Sequence, residues 1–300
     1  MINKPSTNLT RFAWLSILAA ILTIGLKLSA YFLTNSVGLL SDALESGVNL
    51  VAAIIALVAL TIAARPADEE FTFGYSKVEF FSSGFEGGMI LIAAVSIAIT
   101  AIPRLITPQP IEKVGLGLGI SVLASLINFG VSRVLSRAAV RYGSITLEAD
   151  ARHLMTDVFT TGGVIIGVAL VSITGWVRLD SIIALIVAAN ILLTGFSLLK
   201  RSARGLMDVS LPETDLQSVQ TLIQPYTAQG ISFHALRSRS AAARGFVSMH
   251  ILVPGDWSVK RAHELAEKIE SDIRKQMPQV GVFTHVEPLD DPLSSKDNLL

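Results

Sequence analysis

Two apolar stretches far apart in the chain carry the same arrangement of polar side chains: Asp42, Glu45 and Asn49 in one, Asp150, His153 and Asp157 in the other. Spacings of three and then four residues put each trio on one narrow stripe of an α-helix, so the donors of a trio look the same way. Ionisable groups inside a membrane span cost roughly 2.5 kcal/mol or more apiece at mid-depth, and they line a cavity or mark a pathway. Glu45, Asn49, His153 and Asp157 offer two carboxylates, one amide carbonyl and one imidazole, a set that suits a divalent first-row metal. The amide is uncommon as a zinc ligand and gives weight to manganese or iron(II), which accept more oxygen donors. Helix-to-helix hydrogen bonding is the plainer use for such residues, but two matching trios at matched depth point to a site. Asp42 and Asp150 each lie one turn from the central pairs and suit guiding an ion or supporting a ligand. Arg152 needs a partner at that depth, with Glu148 and Asp42 the nearest in prospect.

These trios need membrane helices to hold them. The chain has 300 residues, 51% hydrophobic and 16% charged, with a mean hydropathy of +0.58, which is too apolar for an ordinary soluble domain. A net charge of zero gives no field that would favour nucleic acid. The absence of cysteine excludes disulfides and thiolate metal sites. Hydrophobic runs predict six spans over about 12–33, 37–64, 78–102, 114–136, 145–174 and 178–199. The first run continues past Lys27, as a membrane helix does and a signal peptide does not; Lys27 itself is expected to snorkel to the outer interface. Lys4, Arg11, Arg65, Lys77, Arg133, Arg137, Arg141, Lys200, Arg201 and Arg204 fall on one side, against Arg104, Lys113 and Arg178 on the other. That asymmetry places both termini in the cytoplasm. Glu45 then lies ~12 Å below one surface and His153 ~14 Å from the other at ~1.5 Å per residue, so both reach the midplane of a ~30 Å core.

After Arg204 the composition turns polar. Leu216, Val219, Leu222, Ile223 and Tyr226 recur at helical spacing, as do Ala262, Leu265, Ala266, Ile269 and Ile273, while Val247, Met249, Ile251 and Val253 alternate as one face of a strand. A further strand is predicted over 280–287. The expected organisation is an N-terminal tail (1–11), a transmembrane domain (12–205), a small α+β domain (206–290) and a loose end (291–300). Four of the five histidines, His234, His250, His263 and His285, fall in the small domain.

The chain resembles the cation diffusion facilitators, proton-coupled exporters of divalent metals. The resemblance spans about 12–288 and rests on Ser36-Val37-Gly38-Leu39-Leu40-Ser41-Asp42-Ala43-Leu44, Phe73-Gly74-Tyr75-Ser76-Lys77-Val78-Glu79, Glu148-Ala149-Asp150-Ala151-Arg152-His153 with Asp157, and Leu206-Met207-Asp208. It implies an all-α six-helix transmembrane bundle followed by a cytoplasmic ferredoxin-like domain of αββαβ order, a homodimer joined through that domain, and a transport site at Glu45, Asn49, His153 and Asp157. Relatives usually carry His or Asp at the Glu45 position and Asp at the Asn49 position, so this chain departs in the half that helps choose the metal. The resemblance also implies a cytoplasmic zinc cluster at His234, His250, His263, His285 and Glu287, and an interdomain charge pair of Lys77 with Asp208. A loop site that some relatives build from Asp and two His retains only Asp68, with Phe71 and Tyr75 in the other places. Arg152 stands where relatives often have a bulky apolar gate residue.

The expected function is metal/proton antiport from the cytoplasm by alternating access, with zinc first on family frequency and iron(II) or manganese next on the ligand set. No covalent catalysis is required, so the chain is not read as an enzyme. The rival readings are a membrane-anchored metal sensor working through the cytoplasmic histidines, and a secondary transporter of a small organic cation.

Overall fold

The computed structural model describes residues 9–34, 37–107 and 115–294, without the side chains of 30, 33–34, 37–45, 48, 115–118, 168, 172 and 180. The chain divides into two compact units, one reaching Ala203 and the other starting at Arg204.

The first unit is six helices: α1 (Thr10–Thr34), α2 (Val37–Ala63), α3 (Val78–Ile106), α4 (Gly115–Tyr142), α5 (Ile145–Thr174) and α6 (Arg178–Leu206). Among the described residues five are long and apolar enough to cross a membrane, and the described part of α2 adds an apolar stretch, Asn49–Ala63. Their outward faces are apolar, with Trp14, Leu18, Ile54, Phe81, Ile99, Leu126, Ile166, Leu193 and Phe196 exposed. Such surface is at home only against hydrocarbon; this is an integral membrane protein. The polar residues instead turn inward, where Ser16, Thr23, Asn49, Glu79, Glu86, Asn128, Asp150, His153 and Asp157 are all buried. Small side chains let the helices approach: Ala13, Ala19, Ala20, Ala52, Ala53 and Ala56 are buried in α1 and α2, which pack on each other as α4 does on α5.

α5 is well delimited. Ser144 caps its start by accepting from the Leu147 N–H at 3.3 Å, and Gly175 ends it in the left-handed region at φ 72°. Several helices outrun their predicted spans. α4 continues to Tyr142 and α3 to Ile106, because the hydropathy signal stops at the first charges while the helix itself does not.

The second unit contains α7 (Glu213–Thr227), β1 (Ser232–Ala241), β2 (Arg244–Val253), α8 (Val259–Gln276) and β3 (Val280–Pro288), the expected αββαβ order. The sheet order is β1-β2-β3, with β1 antiparallel to β2 and β2 parallel to β3. One face carries the core: Val247, Met249, Ile251 and Val253 of β2 pack with Val219 and Ile223 of α7 and Ala262, Ala266, Ile269 and Ile273 of α8. These are the positions that the helical and alternating patterns single out. The sheet's other face carries His250, His285 and Glu287 together with the stacked rings of Phe246 and Phe283.

Candidate metal sites

In the membrane unit, α2, α4 and α5 bring Asn49, Asn128, His153 and Asp157 together. The Asn49 amide donates through Nδ2 to Asp157 Oδ2, while its Oδ1 lies 2.6 Å from His153 Nε2. An amide oxygen only accepts, so the imidazole carries its proton on Nε2 in this arrangement. Asn128 Nδ2 also donates to Asp157 Oδ2, at 3.0 Å. All four side chains are buried. His153 Nδ1 and Asn128 Oδ1 have no hydrogen-bond partner among the described residues, so the cluster holds donor lone pairs that its internal bonds leave unused. Two amide N–H groups thus converge on one carboxylate oxygen. Glu45 and Asp42 belong to α2, but their side chains lie outside the described residues.

The residues one turn away have distinct surroundings. Asp150 is buried and accepts from Ser16 Oγ at 2.9 Å. Arg152 reaches Glu148 at 2.9 Å, and Arg201 meets the same oxygen at 2.5 Å. Of the two partners expected for Arg152, Glu148 is observed, and the Asp42 side chain lies outside the described residues.

In the second unit His234, His250 and His285 form one row across the sheet, paired in register as His234 with His250 and His250 with His285. Glu287, two residues beyond His285 on the same strand face, meets this row. Its carboxylate lies 2.8 Å from His234 Nε2 and 3.2 Å from His250 Nδ1. One ligand atom from each of His234, His250 and Glu287 fits within 4.8 Å of the others. His285 stands further out, 3.7 Å from Glu287 Oε1 with its side chain 67% exposed. His263 sits on α8 and lines a groove with Glu267, Glu270, Thr284 and Glu287. Burial alone would raise the Glu287 carboxyl, but the His234 hydrogen bond and the charges of His250, His234 and His285 outweigh it and hold it below the usual carboxylate range. Two imidazoles and a carboxylate able to converge on one point form a donor set that fits zinc.

The sequence profile of the cation efflux transmembrane domain matches residues 13–207, and that of the cation efflux protein cytoplasmic domain matches 211–289. The chain belongs to the cation diffusion facilitator family. Cation diffusion facilitators are transporters and not enzymes. Among curated relatives, the uncharacterized transporter sll1263 of Synechocystis is 50% identical over 94% of this chain and 91% of its own length. The cation-efflux pump FieF of Salmonella arizonae is 28% identical over 88% of this chain and 87% of its own. The metal-bound C-terminal domain of the CzcD transporter from Thermotoga maritima is 30% identical, covering 27% of this chain and 99% of that one, at a TM-score of 0.25.

Against the expectations for a cation diffusion facilitator, three features of this chain stand out. Lys27 does not snorkel: it is buried, with Nζ 2.6 Å from Ser46 Oγ, because α1 turns its polar stripe of Ser16, Thr23 and Lys27 inward. In the loop before α3, Asp68 accepts the backbone N–H of Phe71 at 2.7 Å and the Tyr75 hydroxyl at 2.5 Å, and the Tyr75 bond leads the causes that lower its pKa. That carboxylate shapes its own loop. Finally, Asn128 enters the site although the two trios give no hint of it. The signal was present in α4, where Ser121, Ser125, Asn128 and Ser132 follow spacings of four, three and four residues, the stripe of an inward helix face.

Proposed function

We propose that this cation diffusion facilitator exports a divalent transition metal from the cytoplasm in exchange for protons, by alternating access. Zinc is the first choice, and iron(II) or manganese the next. The observation that carries the reading is the buried convergence of Asn49, His153 and Asp157 from α2 and α5. Helical spacing puts Glu45 one turn before Asn49 on the same stripe of α2, as the fourth ligand. Metal requires a neutral imidazole lone pair and ionised carboxylates, so protons and metal compete for one set of atoms. With the site open to the cytoplasm, proton loss creates affinity; with the site open to the other side, proton uptake expels the ion. In the metal-free arrangement the Asn49 amide links the two proton-binding groups, accepting from His153 and donating to Asp157. A cation entering the site replaces both bonds together. The departure of Asn49 from the usual carboxylate, and the amide of Asn128 beside it, are what favour an oxygen-tolerant metal over strict zinc selectivity.

The charge asymmetry of the loops supports cytoplasmic termini and the cell membrane as location, and the family supports a homodimer through the second unit. In that unit His234, His250 and Glu287, with His285 and His263 at the margin, would hold a zinc ion that braces the sheet. Asp208, which the resemblance pairs with Lys77, lies in the left-handed region at φ 57° and meets Arg239 Nη1 of its own unit at 3.4 Å.

The test is uptake of zinc, iron(II) and manganese into proteoliposomes under a pH gradient. Wild type moves at least one of them only while the gradient is present, and the double substitution His153→Ala, Asp157→Ala abolishes movement. Transport surviving in the double variant rejects the site, and flux indifferent to the gradient rejects the antiport.

A further inference from the structure

A second acidic site lies beside the cluster, between α3 and α5. Glu79 accepts from Ser144 Oγ, and Thr146 Oγ1 donates to the Glu79 carbonyl at 3.3 Å. These bonds join the start of α3 to the start of α5, and from there the two helices pack and run in the same direction. Glu86 is seven residues beyond Glu79 and Asp150 six beyond Ser144. At ~1.5 Å per residue both carboxylates rise about 10 Å and reach one level, a turn short of His153. Among the described residues, Asp150 is the charged group close enough to act on Glu86.

Neither acid is neutralised by a cationic partner among the described residues. Glu86 is fully buried, and both its oxygens lack a hydrogen bond among the described residues, as do Asp150 Oδ2 and the nearby Ser82 Oγ. Asp150 Oδ1 accepts from Ser16 Oγ of α1. From α6, Gly195, Leu198 and Leu199 lie against Gly87, so the described groups on that side are uncharged. His153 is one turn further along α5, and on α2 the Asp42 and Glu45 side chains lie outside the described residues. Two ionised carboxylates in a hydrocarbon-flanked interior with no cation are untenable. Some cation therefore belongs there. A dication such as manganese asks for about six oxygen ligands, more than three free carboxylate oxygens and one free hydroxyl supply. A proton asks for one.

We propose that Glu86 and Asp150 form a proton-binding pair, distinct from the metal ligands, which holds a proton between the starts of α3 and α5 and the His153–Asp157 cluster. Placed one turn from the imidazole, the pair takes up a proton as metal enters and returns it when metal leaves. The metal ligands are then not the sole carriers of the coupling proton. This role rests on the transport reading, whereas the presence of a protonated carboxyl does not.

The experiment combines two measurements on the full-length protein in lipid. Infrared spectroscopy at neutral pH without metal is expected to show the C=O stretch of a protonated carboxyl group, lost in Glu86→Gln and shifted in Asp150→Asn. In proteoliposomes, Glu86→Gln is expected to keep metal binding but to lose the wild-type dependence of manganese or zinc flux on pH. A band and a pH profile that both remain as in wild type in the two variants overturn the proposal. Loss of one bound metal equivalent in Glu86→Gln also overturns it, in favour of a second metal station. Should Glu86→Gln fail to fold, Asp150→Asn alone decides by the same two readouts. If wild-type protein moves no metal, the transport reading falls while the infrared band still decides the pair.

Discussion

In the proposed transport site, Asn49 is the residue on which metal choice would turn. Its amide bridges Asp157 and His153 and stands where the resemblance leads one to expect a carboxylate. Asn49→Asp would put a second negative charge against Asp157 Oδ2 where an N–H now donates. Without metal the two carboxylates repel, and with metal they share its charge. The variant is therefore expected to melt several degrees lower than wild type in the absence of metal and to bind zinc about tenfold more tightly, at manganese's expense, an effect of the size that changes in a ligand shell produce. Thermal unfolding with and without metal, together with zinc and manganese titrations, checks this; an unchanged preference would remove Asn49 from the site. At this scale the convergence of Asn49, His153 and Asp157 was readable from spacing alone, since burying polar donors on facing stripes is costly, while the side chains of Asp42 and Glu45 lie outside the described residues. Asn128 was not, because a single amide among serines carries the same pattern as ordinary helix packing and only the third dimension brings it to Asp157. The row of His234, His250 and His285 was half-readable: alternation gives the face of each strand, but strand register, which no local pattern encodes, sets the three side by side.

At the scale of elements, the proposed proton-binding pair depends on how closely α3 is held, because that helix carries Glu86. Its contact with α6 is made through glycine. A Cβ placed on Gly87 would come 3.2 Å from the Leu199 nitrogen and 3.3 Å from the Gly195 carbonyl, both backbone atoms, and Ser202 Oγ donates to the Phe80 carbonyl nearer the start of α3. Backbone cannot move aside as a side-chain tip can. Gly87→Val is expected to cost about 1–3 kcal/mol through overpacking, seen as a lower melting temperature and a broadened elution profile in detergent. Gly88→Ala on the same helix, with open space around it, is expected to melt as wild type does. Equal behaviour of the two would mean that α3 and α6 are not packed through these glycines. Helix identity was legible from hydropathy throughout the membrane unit. Helix length was not: Arg133, Arg137 and Arg141 end the apolar signal while α4 continues to Tyr142, since long basic side chains can leave the hydrocarbon without breaking the backbone helix.

For the whole molecule the outstanding question is sidedness, on which the direction of transport depends. The proposed orientation has both termini on one side, as six crossings require, and takes that side as the cytoplasm from the excess of Lys and Arg in its loops. The C-terminal unit, with His234, His250 and Glu287, would then sample cytoplasmic metal, while α3 would start on the cytoplasmic side near Lys77 and end on the opposite side near Thr107. The sequence offers a clean way to decide, because it contains no cysteine and a single introduced thiol has no background. Asp256→Cys, exposed in the loop before α8, and Thr107→Cys, exposed at the end of α3, should react with a membrane-impermeant maleimide from opposite sides. In right-side-out cells only Thr107→Cys is expected to be labelled, and in inside-out vesicles only Asp256→Cys. Labelling of both from one side would contradict the crossings by α4, α5 and α6 that separate the two positions. The reversed pattern would keep the six-helix fold but turn the transporter round, making metal taken up under the same gradient an import and placing the histidine row outside the cell.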